Sequence, residues 1–251
     1  MIGLGPRLIA VVVAGVILNI LFGLLGARLL GRGWRFGVLT GGSVAICGAS
    51  AAMALSAVLP DRKHAERDLG VTILGVTIMS TLAMVLYPVL ARQLALDDTA
   101  SGIFLGASIH DVAQAIGAGF AISDSAGAQA TVVKLTRVAL LAPLVTLAAV
   151  WVARLHPLPQ ANTGARVPLL PGFILAFLGL VVVNSLVTLP PQVAPAALTL
   201  SKTLLLLAVT ATAMRTRTDL LLQLGWRSVM PVLAATLASL GAALAFAWGV
   251  L

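Results

Sequence analysis

The feature that most constrains this chain is that its apolar residues fall into eight runs of 19 to 24 residues, separated by short charged stretches. The runs are 8–27, 36–59, 69–91, 100–122, 130–153, 168–189, 196–214 and 229–251. Each is close to the roughly 20 residues an α-helix needs to cross about 30 Å of hydrocarbon. Lipid leaves helices or closed barrels as the only ways to satisfy backbone hydrogen bonds. A barrel demands dyad alternation over about 10 residues, which the segment from Leu140 to Val150 lacks. The expected fold is an all-α polytopic membrane protein with about eight transmembrane helices, a single integral membrane domain over residues 1–251. The first run exceeds the roughly 7 to 15 residues of a signal-peptide core and is expected to be a retained helix. Only 10% of the residues are charged, against about 25% in soluble domains, and no soluble domain fits between the runs.

Sixteen Lys and Arg stand against eight acids, a formal charge of +8. They are scattered, which suits membrane topology better than a polyanion groove, so no nucleic-acid partner is expected. Assigning connections to alternate sides groups Arg28, Arg32, Arg35, Arg92, Arg154, Arg166, Arg215, Arg217 and Arg227 on one face. Arg7, Arg62, Lys63 and Arg67 fall on the other. The positive-inside rule then makes the first face cytoplasmic and puts both termini outside. Trp34, Trp151 and Trp226 sit near run ends, as interfacial aromatics do. The single Cys47 excludes an internal disulfide and any multi-cysteine metal site, and no cofactor is expected. His-Glu-x-x-His, Walker and Gly-x-Ser-x-Gly motifs are all lacking, and a Ser, His and Asp gathered from runs two and four is a weak signal, so no enzyme is expected.

Two runs carry glycine and hydroxyl residues at mid-span: Thr40-Gly-Gly-Ser-Val-Ala-Ile-Cys-Gly-Ala-Ser50, and Gly102 through His110, Asp111 and Gln114 to Gly119. Such residues favour either close helix packing or a broken helix whose free N–H groups face an anion near the midplane. The expectation is that both are interrupted, near Gly41 to Ser50 and near Ser108 to Gln114. His110 and Gln114, four apart, share a helical face with Gly117, while Asp111 sits about 100° away. That stripe reads either as an interhelical hydrogen-bond network or as a proton- and substrate-handling site. Lys134 and Arg137, three apart near the start of run five, either snorkel to the headgroups or face the stripe, neutralising Asp111 or holding an anion. Lys202 gets the same two readings, Asn184 and Ser185 are expected to bond between helices, and Cys47 is expected to be a small packing residue.

At Gly41-Gly-Ser-Val-Ala-Ile-Cys-Gly-Ala-Ser-Ala51, Ser108-Ile-His-Asp-Val-Ala-Gln-Ala-Ile-Gly-Ala-Gly119 and Ala130-Thr-Val-Val-Lys-Leu-Thr-Arg137, order and spacing resemble the YeiH family, also called UPF0324. Arg217-Thr-Asp-Leu220 and Gly225-Trp-Arg227 are similar too, whereas Arg215 stands where the resemblance leads one to expect a small residue. Members of that family are labelled sulfate exporters. The resemblance implies a multi-pass protein of the bacterial inner membrane, distantly akin to the cation/proton antiporter and bile-acid symporter superfamily, with inverted repeats and broken, crossing helices. Family members also run longer, with about three helices ahead of the point where this chain begins, so its first span resembles their fourth.

These readings lead to an expected secondary transporter exporting a small anion of the sulfate or organosulfur type, coupled to a proton. The substrate contacts are assigned to Gly41, Gly42, Ser43, Gly48, Ser50, Gly106, Ser108, His110, Gln114, Lys134 and Arg137. Proton coupling falls to His110 and Asp111. The competing class is a non-transporting remnant or a subunit of a membrane complex. The expected partners are the lipid bilayer and the small anion, with a homo-oligomer left open.

Overall fold

The computed structural model describes residues 5–60, 65–155 and 226–250, together with scattered positions between 179 and 210. Its continuous helices are α1 (Gly5–Leu29), α2 (Trp34–Ala45), α3 (Ala49–Val58), α4 (Ala65–Gln93) and α5 (Asp98–Ser108), followed by α6 (Val112–Phe120), α7 (Asp124–Ala139), α8 (Leu141–Leu155) and α9 (Trp226–Val250). Four stretches among the described residues are long and apolar enough to cross a bilayer: Ile9–Leu29, Ala65–Gln93, Asp124–Val152 and Val229–Gly249. They correspond to runs one, three, five and eight. Runs six and seven, with Asn184, Ser185 and Lys202, lie outside the described residues, as do Arg62, Lys63, Arg166, Arg215 and Arg217. Leu21, Val85, Leu147 and Leu237 lie on the outer surface, about half exposed or more, as lipid-facing side chains do. The third crossing is assembled from α7 and α8. Pro143 lacks the N–H that would bond the Ala139 carbonyl, so the helix stutters at Leu140.

Runs two and four break where expected, but neither crosses. Run two divides at Ile46-Cys47-Gly48, with Gly48 at φ +67. Run four divides at Ile109-His110-Asp111, in extended backbone. The arms of the first break fold back on each other. Leu55 of α3 fills the space beside Gly42 of α2. The start of α2 and the end of α3 line one pocket of about 460 Å³ together with the start of α4, and Arg32 pairs with Asp68 at 2.7 Å. The second break behaves alike, since Gly106 before it and Gly119 after it both abut Ala130 of α7. Each run is therefore a re-entrant hairpin of two short helices, and the eight-crossing expectation is corrected for these two. A 12-residue helix rises only about 18 Å, enough to reach mid-membrane and no further.

Let the near face be the end of the bundle holding the C-terminus of α1. α1 runs toward it, and hairpin α2/α3 enters from it and returns to it. α4 leads to the far face, hairpin α5/α6 enters from there, and α7–α8 crosses back. Gly26 on α1 faces Pro231 on α9 and Val12 clusters with Phe246, so α9 runs antiparallel to α1 and starts near the near face. This path also corrects the grouping of charges. Arg67 joins Arg28, Arg32, Arg35 and Arg154 at the near face, and Arg92 belongs to the far one.

Close helix approach is bought with glycine. An added Cβ on Gly23 would lie 2.5 Å from the Gly41 Cα, and one on Gly37 2.7 Å from the Leu24 Cα, so α1 and α2 touch backbone to backbone. On α5, Gly102 and Gly106 serve α7 the same way, against Ala126 and Ala130. Small residues spaced by four are the usual means of such contact between membrane helices. Trp34 and Trp151 meet edge to face at 4.7 Å at the near face, consistent with an interfacial position.

Candidate functional site: the meeting of two hairpin tips

Two broken helices leave four helix ends inside the protein, each with unsatisfied backbone groups and half a dipole. The carbonyl ends of α2 and α5 are met by two cations from α7. Arg137 donates from Nε to the Ala45 carbonyl at 2.8 Å and from Nη2 to those of Val44 and Ala45 at 3.1 and 2.5 Å. Its Nη1 donates to the Ala107 carbonyl, and Lys134 Nζ donates to that of Ile109. One guanidinium thus joins both hairpins, a task its planar fork suits. Ser239 of α9 adds a bond to Ala107, at 3.2 Å.

The amide ends differ. Asp111 is the N-cap of α6, its carboxylate accepting from the Gln114 N–H at 3.0 Å. Its own N–H donates to Ser80 Oγ of α4 at 2.9 Å. α3 starts at Gly48 without a side-chain cap. Beside it Ser50 Oγ donates to Cys47 Sγ at 2.9 Å, so Cys47 packs at the tip and also accepts a bond. Across from these, His110 Nε2 meets Thr236 Oγ1 of α9 at 2.9 Å, and Gln114 Nε2 donates to Thr81 Oγ1 of α4 at 3.1 Å. His110 Nδ1 and Gln114 Oε1 are buried with no hydrogen-bond partner among the described residues.

Several expected roles change. Lys134 and Arg137 do not snorkel; they are 0% and 3% exposed. The reason is that α7 begins at Asp124, capped by Ser123, and not at residue 130. Lys134 is then ten residues into the helix, roughly 15 Å deep. They do face run four, yet they bond its carbonyls, and no described carboxylate lies within 4.0 Å of either. Asp111 is answered by the helix end it caps. His110 and Gln114 do not share a helical face, because residues 109–111 are extended; one points to α9 and the other to α4. Gly41, Gly42 and Ser43 lie within α2 and Gly106 within α5, so their amides belong to the helices. Gly41 and Gly106 hold helices together, and Ser43 and Ser108 bond back to the carbonyls of Leu39 and Phe104.

Ser80, Thr81, Thr236, Ser239 and Asn19 were not anticipated. Hydroxyl residues recur along α4, and Thr72, Thr77 and Thr81 all bond their own helix carbonyls four residues back, so nothing local marks Ser80 and Thr81 as the pair that reach across. A signal for Asp111 was present: Asp-x-x-Gln before an apolar run is a helix-start pattern.

Comparison with known proteins gives the site a lineage. The family described as Conserved hypothetical protein 698 matches residues 1–232. The UPF0324 membrane protein TauZ of Paracoccus pantotrophus is 51% identical over 93% of this chain and 69% of its own length. A UPF0324 membrane protein of Rhizobium meliloti is 49% identical over 94% of the chain and 68% of its own. One from Chlorobaculum tepidum is 44% identical over 93% and 64%. No solved structure matches. The tip motifs of both hairpins and the two cations between them lie within the matched residues, and on this ground the chain belongs to the UPF0324 family of membrane proteins.

Proposed function

We propose that this chain is the core of a secondary transporter for a small anion of the sulfate or organosulfur type. The observation that carries the reading is the meeting of two hairpin tips, entering from opposite faces, beside two buried cations with no carboxylate among the described residues in contact with them. Buried positive potential in a medium of low dielectric favours an anion. The N–H groups of the first turn of α3, at Ala49 and Ser50, are the backbone donors that would receive it, since that of Gly48 already donates to the Ser43 carbonyl at 2.9 Å. On this reading Ser108, His110 and Gln114 complete the anion's contacts, Lys134 and Arg137 supply the charge, and His110 with Asp111 handles the coupled proton. The opposed hairpins are what an inverted-repeat transporter of the antiporter and symporter kind requires.

We infer further that the near face is cytoplasmic in a bacterial inner membrane. Arg28, Arg32, Arg35, Arg67 and Arg154 end there, against Arg92 at the far face among described side chains.

Flux into proteoliposomes tests the proposal. Radiolabelled sulfate or an alkyl sulfonate should accumulate above the protein-free baseline, more so with an imposed pH gradient, and His110→Gln should remove the gradient's effect. Monodisperse protein that moves neither anion under any gradient would overturn it in favour of a non-transporting subunit.

A further inference from the structure

Between α1 and α9, beside the hairpin tips, lies a cavity of about 30 Å³. Its inner wall is polar, with Asn19, Ser239, Arg137 and the Ala107 backbone. Its outer wall, toward the far face, is apolar, with Val11, Val12 and Phe246. Asn19 is 2% exposed, and its Oδ1 has no hydrogen-bond partner among the described residues. A buried polar group in lipid surroundings that lacks a partner is strongly disfavoured.

Arg137 supplies the complementary half. A guanidinium carries five N–H groups. One on Nε, two on Nη2 and one on Nη1 go to the carbonyls of Ala45, Val44 and Ala107. The second Nη1 hydrogen has no acceptor among the described residues, and Arg137 lines the cavity. Ser239 donates to Ala107 and keeps a lone pair free. The cavity therefore presents an acceptor with no donor and a donor with no acceptor. A cavity needs about 10 to 15 Å³ to hold a water, which must find 2 to 4 polar partners; here both conditions are met.

We propose that this cavity is a hydration site: a water donates to Asn19 Oδ1, accepts from Arg137 Nη1, and forms the inner end of an aqueous route from the tips toward the far face. A cation is disfavoured by Arg137, and an anion would need the Asn19 amide turned to present its NH2 group; water serves the Asn19 oxygen and the guanidinium as they stand. Gly15, on the wall between Asn19 and the far face, has nothing within 4 Å of an added Cβ, so no described atom closes the cavity on that side. The inference is independent of what is transported.

Thiol reactivity tests it, because a thiolate forms in water and not in lipid. In a Cys47→Ser background, Gly15→Cys should react with a small maleimide at least tenfold faster than the outward-facing Leu21→Cys. Adding Asn19→Leu, which fills the site with apolar volume, should slow Gly15→Cys at least tenfold. Ala242→Cys on the opposite wall should behave as Gly15→Cys does, and each variant should first elute as monodisperse protein. Equal rates at Gly15→Cys and Leu21→Cys, or indifference to Asn19→Leu, would overturn the proposal. Protection by chloride or sulfate would also overturn it, by making the occupant an anion. If Asn19→Leu does not fold, density for a single water bridging Asn19 and Arg137 in an experimental map supports the site, and a dry cavity sinks it.

Discussion

Asp111 and Arg137 are the side chains whose neighbours decide how the hairpins are read. Asp111 caps α6 by accepting from Gln114, and asparagine caps about as well as aspartate. Asp111→Asn should therefore leave the thermal unfolding midpoint in detergent nearly unchanged, whereas Asp111→Ala should cost about 1 kcal/mol. Were the carboxylate held by Lys134 instead, both substitutions would be equally damaging. Arg137 bonds three carbonyls on two hairpins, and bonds from charged groups are worth roughly 1.5 to 3 kcal/mol each. Arg137→Met should lower stability by at least about 3 kcal/mol. Arg137→Lys should lose less, because an ammonium still reaches one hairpin although it cannot span both. Denaturant unfolding of the purified protein would rank the two variants.

At the scale of elements, the breaks were legible and the direction after them was not. Gly48 and the Ser108 to Gln114 stretch announce an interruption, since glycine and hydroxyls at mid-span bring nothing to a lipid-facing helix. Whether the chain then continues or turns back depends on contacts with α4 and α7, far away in sequence. A run of 23 or 24 apolar residues is compatible with one crossing or with two half-length arms. The start of α7 is not legible either, because its first six residues, Asp124 to Gln129, are polar enough to pass for a loop. That misplacement made Lys134 look interfacial. Sequence leaves these glycines two structural readings, packing and breaking, and both occur: Gly41 and Gly106 pack, and Gly48 breaks. Gly41→Ala would put a methyl 2.8 Å from the Asn19 carbonyl oxygen, so overpacking of about 1 to 3 kcal/mol is expected. Gly70→Ala on α4, with nothing within 4 Å, should stabilise by about 0.5 to 1 kcal/mol, as alanine does over glycine in a helix. Melting temperatures of the pair would move in opposite directions.

For the molecule as a whole, the decisive feature is that the hairpins enter from opposite faces. This fixes which connections share a side, and it makes topology testable without reference to transport. In a Cys47→Ser background, Gln93→Cys should be modified by an impermeant thiol reagent added outside intact cells. Gly33→Cys should react only after permeabilisation. The reverse pattern would invert the orientation, and labelling of both from outside would contradict the opposed hairpins.

The Arg137 bonds also set an order of assembly during synthesis. The carbonyls of Val44 and Ala45 acquire their guanidinium from a residue 93 and 92 positions downstream, a delay of roughly 5 to 20 s at ribosomal speed. Until then the first hairpin rests in the bilayer with a helix end unanswered, sheltered by α1 alone and then by α4. A nascent chain halted after Gln93 should expose residues 34–58 to protease in isolated membranes, and one halted beyond α8 should protect them. The hairpin that is made first would be the one completed late, so the membrane insertion machinery, or lipid headgroups drawn inward, must hold it in the interval.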